Sequence, residues 1–237
     1  MLRCSLLQPV APHFFTAATL HLRDDPDEWR SVAAFAGVGE EQLRLLHQVH
    51  GHRVVIAASA AGGAADRPEA DAIITDDPAV ALVVRVADCA PILLADQRLG
   101  VVAAVHAGWR STMQRIVVDA IRAMEHAYGT NAGDLRAAIG PSLGACCGEM
   151  GVEVVDAFRR EGHDEASLDR WFDTAAGRRP HFDLVRANRD QLEMSGVAPE
   201  AVFASGLCTR TYPDVFHSYR AAGQHAGRMA AVIRANR

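Results

Sequence analysis

The feature that most constrains the fold is a dense block of short, β-branched apolar runs between residues 72 and 105. Ala72–Thr75, Val80–Val86, Ile92–Ala95 and Val101–Val105 each have the length of a strand and are split by Asp, Pro or Gly. Their apolar residues are consecutive rather than alternating. Successive side chains of a strand point to opposite faces, so such runs require a sheet covered on both sides. Val54–Ala57 reads as a further strand, followed by an exposed loop over Ala60–Glu69 that is rich in Ala and Gly and broken by Pro68.

Helical periodicity begins after this block. Ser111 or Thr112 caps a predicted helix running to Tyr128, with Ile116, Val117, Ala120, Ile121 and Met124 as its buried stripe and Gly129 as its stop. Leu135–Ile139 reads as a strand. Val152–Arg160 and Asp183–Met194 read as helices, and Val202–Ala204, Val215–Tyr219 and Met229–Ile233 as late strands, the last compatible with helix as well. The mixed order predicts an α/β (α+β) fold, a single domain over residues 1–237 with layered mixed β-sheets flanked by helices.

The composition narrows the class. Of 237 residues, 49% are hydrophobic and 22% charged, an ordinary globular balance, and a net charge of −5 lacks the basic surplus of a nucleic-acid binder. No run approaches the roughly 18 apolar residues of a membrane span, and the apolar stretch before Pro9 is too short for a signal peptide. A cytoplasmic location is therefore expected, without nucleic-acid or membrane partners, as a monomer or homodimer. Five cysteines, an odd number, point to reduced thiols rather than a disulfide framework. The adjacent Cys146 and Cys147 read as small residues in a turn.

Three segments carry ligating residues: His47-Gln48-Val49-His50-Gly51, Ala87-Asp88-Cys89 and His106-Ala107-Gly108-Trp109-Arg110. A His/Cys/His set leaves one corner of a tetrahedron open, as in a catalytic metal site. Alone, Cys89 reads as a small buried hydrophobe. His106 closes an apolar strand before a Gly turn, at the end of a sheet where α/β folds bind ligands, or it simply bonds a backbone carbonyl. His50 is the expected ligand of its group, with His47 a bystander. Arg110, beside a predicted helix start, is either an anion contact or a surface residue stacked on Trp109.

Taken together these segments resemble the laccase-domain or polyphenol oxidase family, also described as peptidoglycan editing factor and purine nucleoside phosphorylase. The matching pieces are Gln48-Val49-His50-Gly51, Ala70-Asp71-Ala72, Ala87-Asp88-Cys89, His106-Ala107-Gly108-Trp109-Arg110, Ile139-Gly140-Pro141-Ser142, Phe182-Asp183-Leu184 with Asn188, Cys208-Thr209, Ser218-Tyr219-Arg220 and Gly227-Arg228. The resemblance implies a zinc site on His50, Cys89 and His106, with copper as the older alternative. It also implies a purine nucleoside and phosphate as substrates, for phosphorolysis with adenosine deamination alongside. Asp88 is then a proton-shuttling carboxylate or the group that orients His50 or His106, and Arg110, Arg220 and Arg228 are the phosphate contacts. Other activities compatible with the same residues are a cysteine hydrolase with Cys89 as nucleophile and His106 as base, editing a peptidoglycan precursor; a copper polyphenol oxidase; and a non-catalytic binding protein.

The resemblance departs at two places. Residues 1–40 form a divergent N-terminal part: Phe14-Phe15-Thr16-Ala17-Ala18-Thr19 stands where the family has Thr-Arg-x-Gly-Gly, with neither the Arg nor the glycines. Gly148 follows the paired cysteines where an aromatic residue is common.

Overall fold

The computed structural model describes residues 1–23, 25–57 and 67–236. Its main sheet has six strands in the order Val202–Ala204, Leu135–Ile139, Ala90–Asp96, Val102–Ala107, Ala72–Thr75 and Val54–Ile56. The two outer pairs are parallel and the inner three pairings antiparallel. A second sheet runs His13–Phe15, Met229–Arg234, Ala81–Val86 and Leu43–Arg44. A small antiparallel pair joins Phe172–Asp173 to His181–Phe182.

The consecutive apolar runs explain the layering. Ile74, Ile92, Leu94, Val105 and Ile139 face the helices Ile116–Tyr128, Val152–Arg160 and Leu184–Met194. Ile73, Leu93, Val102 and Ala138, one residue out of phase, meet Phe15, Leu82, Val84 and Ile233 of the second sheet. The outer face of that sheet, Phe14, Val83 and Val232, lies under the helix Pro26–Ala36 through Trp29 and Val32. The result is four layers: helices, sheet, sheet, helix. Both sheets are therefore covered on both faces, and the mixed α/β architecture agrees with the expectation from sequence. Among the described residues, no helix is long and apolar enough to cross a membrane.

Local differences have physical causes. The helix expected from Ser111 or Thr112 through Tyr128 is broken into Trp109–Met113 and Ile116–Tyr128 by Arg115, whose φ is 63°. Buried contacts hold the first piece elsewhere: Asn188 Nδ2 donates to Thr112 Oγ1 and Gln191 Nε2 to the Thr112 carbonyl, both at 2.9 Å. Val215–Tyr219 is not a strand. The amides of Val215 and Phe216 both donate to the Tyr212 carbonyl, and Ser218 caps a short helix, Tyr219–Ala222. Phe216 is buried from this turn against Val86 and Met229, with no strand pairing to it among the described residues. The helices Pro26–Ala36 and Glu165–Trp171 and the strand His13–Phe15 escaped the sequence pattern, although Asp25 and Asp164 are ordinary N-caps for the two helices. Met229–Arg234 is a strand. Residues 60–66 of the expected loop lie outside the described residues.

Candidate metal and anion site

Strand register brings the ligating residues to one end of the main sheet. Ala90–Asp96 and Val102–Ala107 pair antiparallel with Pro91 opposite His106, so Cys89, one residue before its strand, ends beside His106. Ala72 pairs with Val105 on the other side, which brings Asp71 next to His106. The His106 amide donates to the Asp71 carbonyl at 2.7 Å, and His106 Nδ1 donates to Asp71 Oδ1 at 2.7 Å.

Asp71 also builds the loop that carries the third residue. Its buried carboxylate accepts the amides of Val49, His50 and Gly51 at 3.3, 3.0 and 2.7 Å. These bonds hold His50 at a φ of 60°, an uncommon conformation for a residue with a side chain. Gln48 anchors the same loop to the second sheet by reciprocal amide bonds with Arg85, both 2.8 Å. The ligating atoms of His50, Cys89 and His106 all lie within 4.8 Å of one another, and the two imidazoles meet edge to face at 4.9 Å between centroids. A methyl group at Gly108 would stand 2.9 Å from Cys89 Sγ and 3.3 Å from His50 Cδ2, so only glycine leaves the cluster closed this tightly. His47 and His52 are outside it, and His52 instead pairs with Asp119 at 2.8 Å on the surface.

This donor set fits a cation of zinc or copper type. One thiolate and two imidazoles are suitable ligands. Asp71 accepts the Nδ1–H of His106 and so leaves Nε2 for a metal, as outer-sphere carboxylates do.

The electrostatics favour the ionised ligands. Burial opposes ionisation of Asp71, but the hydrogen bond and charge of His106 and the amides of Gly51 and His50 hold its carboxyl below the usual value. Burial likewise raises the Cys89 thiol, but the charge of His106 and hydrogen bonds from both histidines outweigh it and bring the thiol down to about 6. Burial lowers His106, yet the Cys89 thiolate and Asp71 reverse this and raise it to about 9. In metal-free protein the pair is a thiolate and an imidazolium between those values. Alkylation of Cys89 by iodoacetamide should therefore stay fast down to about pH 6 and slow only as the thiolate is protonated below it. A midpoint near the value of about 8.5 for a free cysteine would contradict this electrostatic account.

The cluster opens into a cavity of about 1030 Å³. Arg23, Arg67, Arg85, Arg110, Arg220 and Arg228 line it, with Asp88 as the one acidic residue among the described residues of the lining. Leu143, Met150, Phe182, Leu184 and the rings of Trp109 and Tyr219 form its apolar part. Arg23 and Arg228 are held together: Arg23 Nη2 and Arg228 Nη1 both donate to the Ala226 carbonyl, at 2.7 and 2.8 Å. Burial, and then the charge of Arg23, lowers Arg228 from its ordinary value. Two guanidiniums fixed side by side form a ready receptor for an anion. Arg110 stacks 4.3 Å over Trp109 while lining the same cavity.

Asp88 differs from the expectation that it orients a histidine. Its backbone is left-handed, with a φ of 85°. Its carboxylate accepts Thr209 Oγ1–H and the Arg220 amide, both at 2.6 Å, and its carbonyl accepts the Leu143 amide at 2.8 Å. The orienting carboxylate is Asp71, whose only sequence signal is its place in Ala70-Asp71-Ala72. Arg220 Nη1 donates to the Glu149 carbonyl at 2.9 Å. Gly148 also has a local cause, because any side chain there would collide with the Phe182 carbonyl.

The family model of multi-copper polyphenol oxidoreductase laccases matches residues 16–236. The chain belongs to this laccase-like family. A protein of Bacteroides thetaiotaomicron named purine nucleoside phosphorylase is 39% identical over 69% of this chain, and the match spans 60% of that relative's length. A protein named adenosine deaminase RL5, from an unknown prokaryotic organism, is 35% identical over 84% of this chain and 77% of its own length. Among solved structures of this fold, YlmD of Geobacillus stearothermophilus superposes with a TM-score of 0.88 at 27% identity, covering 99% of this chain and 94% of that one. Family membership and shared fold agree with the resemblance read from the sequence motifs. Arg23, Arg67 and Arg85 belong to no motif that marks them in the sequence.

Proposed function

We propose that this chain is a metal-dependent purine nucleoside enzyme that uses phosphate to cleave adenosine or inosine and also deaminates adenosine. One observation carries the reading: a His50/Cys89/His106 cluster opens into a cavity with six lining arginines and an apolar wall. That combination suits a small anion beside a flat, weakly polar base. The names of the relatives at 39% and 35% identity support the same substrate class.

His50, Cys89 and His106 would hold the cation, with zinc the preferred ion. When bound there it would supply Lewis-acid chemistry for activating water or polarising the purine. The remaining work falls to the side chains. Arg23 and Arg228 hold the phosphate, with Arg110 and Arg220 at the sides of the cavity. In phosphorolysis a phosphate oxygen bonds to ribose C1′, the bond from C1′ to the base nitrogen breaks, and its electron pair leaves with the purine. Leu143, Met150 and Phe182 exclude water from the base and fix its plane. Asp88 acts as a positioning residue, holding the backbone of Arg220 and the hydroxyl of Thr209.

Arg23 takes the place of the arginine missing from Phe14–Thr19. Loss of a charged hydrogen bond costs about 1.5–3 kcal/mol. Arg23→Ala should therefore raise the KM for phosphate roughly tenfold or more while deamination, which uses no phosphate, changes little. An unchanged phosphate KM would remove Arg23 from the anion site.

The whole reading is tested by incubating the purified protein, of measured metal content, with adenosine and inosine, each with and without phosphate. Hypoxanthine from inosine only when phosphate is present, and inosine from adenosine without it, are the expected products. No purine release from fully metal-loaded protein would refute phosphorolysis. Oxygen uptake with a phenol would favour the activity in the family's name, and rapid alkylation of Cys89 in metal-loaded protein would favour the cysteine hydrolase.

A further inference from the structure

A second group of ligating atoms lies behind one wall of the cavity. Cys146 and Cys147 end the short turn Ala145–Cys147, and Cys208 sits on the segment beside it. Their sulfurs all lie within 4.8 Å of one another, with Cys146 and Cys147 Sγ 3.8 Å apart. Thr211 Oγ1 is 3.6 Å from Cys146 Sγ and 3.8 Å from Cys147 Sγ. Cys208 is buried, and its sulfur accepts the Gly144 amide at 3.3 Å. Cys146 is exposed, which leaves the group a solvent entrance.

We propose that Cys146, Cys147 and Cys208 form a second metal site, a trithiolate for a thiophilic closed-shell cation, zinc(II) or copper(I). Sulfur ligands about 2.3 Å from one ion stand roughly 4 Å from each other; Cys146 and Cys147 Sγ are already 3.8 Å apart, and Cys208 Sγ lies within 4.8 Å of both. Soft thiolates select these ions over hard ones such as magnesium or calcium. A disulfide would instead draw two sulfurs to about 2.05 Å and leave the third alone. The convergence of all three fits an ion better than a bond. Binding would release thiol protons to solvent.

The position gives the site a structural task. The segments around residues 142 and 208 are joined by the Ser142 amide to the Leu207 carbonyl at 3.2 Å and the Thr209 amide to the Ser142 carbonyl at 2.9 Å. The same segments supply Leu143 and Thr209, two of the three residues that hold Asp88. An ion on the three sulfurs would staple this wall of the cavity without touching substrate.

The test uses full-length protein carrying Cys89→Ser, reduced, stripped by chelator and kept anaerobic; His50→Ala, at an exposed position, is the alternative background. Zinc(II) and copper(I) are titrated separately against chromophoric competitors, and cobalt(II) is added as a spectroscopic probe. One equivalent of metal with a sulfur-to-cobalt charge-transfer band is expected. Cys146→Ser in that background, exposed and so neutral to folding, should weaken binding at least about 100-fold, since loss of even an outer-sphere partner can cost that much. No binding in either background, an affinity indifferent to Cys146→Ser, or a disulfide among these cysteines in freshly isolated protein would overturn the proposal. Failure here leaves the nucleoside reading untouched, because that reading depends on the first cluster alone.

Discussion

Asp71→Ala should weaken metal binding at the His50/Cys89/His106 cluster and lower the stability of the fold. Asp71 is completely buried and accepts four hydrogen bonds from side chain and backbone, namely His106 Nδ1 and the amides of Val49, His50 and Gly51. Alanine would leave those donors buried without an acceptor. Removing one partner from a buried charged network costs about 3–5 kcal/mol. The loop would lose the bonds that keep His50 at positive φ, and His106 would lose the bond that fixes its tautomer. A chemical denaturation curve would read the loss of stability, and a metal titration the weakened site, with an affinity loss of roughly 10–100-fold. Asp71→Asn keeps the shape and part of the acceptor capacity, so it should fold and still bind metal less tightly. Wild-type metal affinity in a folded Asp71→Ala or Asp71→Asn protein would show that the carboxylate does not govern the cluster.

Cys89→Ala should reduce bound metal by one equivalent and bring both purine activities to background. The sulfur is the one anionic ligand of its set, and an alanine supplies neither charge nor lone pair. This variant separates the two enzymatic readings of Cys89. A nucleophile can be lost while the metal stays, whereas a ligand takes the metal with it. Metal analysis of the purified variant next to wild type therefore decides the role, and full retention of the ion would make Cys89 something other than a ligand. The half-buried position next to Gly108 means that the smaller alanine leaves space rather than strain, so loss of metal in this variant would not be a sign of misfolding.

Much of the fold was legible because local pattern and tertiary burial agree in its centre. Consecutive apolar runs such as Ile92–Ala95 announced a doubly covered sheet, and the helix Val152–Arg160 was readable from three- and four-residue apolar steps. The misreadings share a cause. Arg115 sits within a sequence of helical periodicity, and only the buried contacts of Thr112 with Asn188 and Gln191 force the break there. Phe216 belongs to a segment that reads as a strand, yet its backbone turns onto the Tyr212 carbonyl and its ring packs against Val86 and Met229 of the second sheet without pairing with them. Neither fact exists in a window of a dozen residues.

For the site, the sequence by itself determined the inventory: which residues are able to bind a metal, and an ordered set of motifs that places the chain in its family. His50, Cys89 and His106 could be named because residue chemistry is local. Only the tertiary structure decided what those residues do to one another. Strand register set Asp71 rather than Asp88 against His106, a left-handed turn aimed Asp88 at Thr209 and Arg220, and the packing of the N-terminal segment on the second sheet carried Arg23 to the side of Arg228. Hydrogen bonds and Coulomb interactions act over a few ångströms of space, whereas these partners are separated along the chain by 35 to 205 residues. Distances of that kind are fixed by the layering of the sheets.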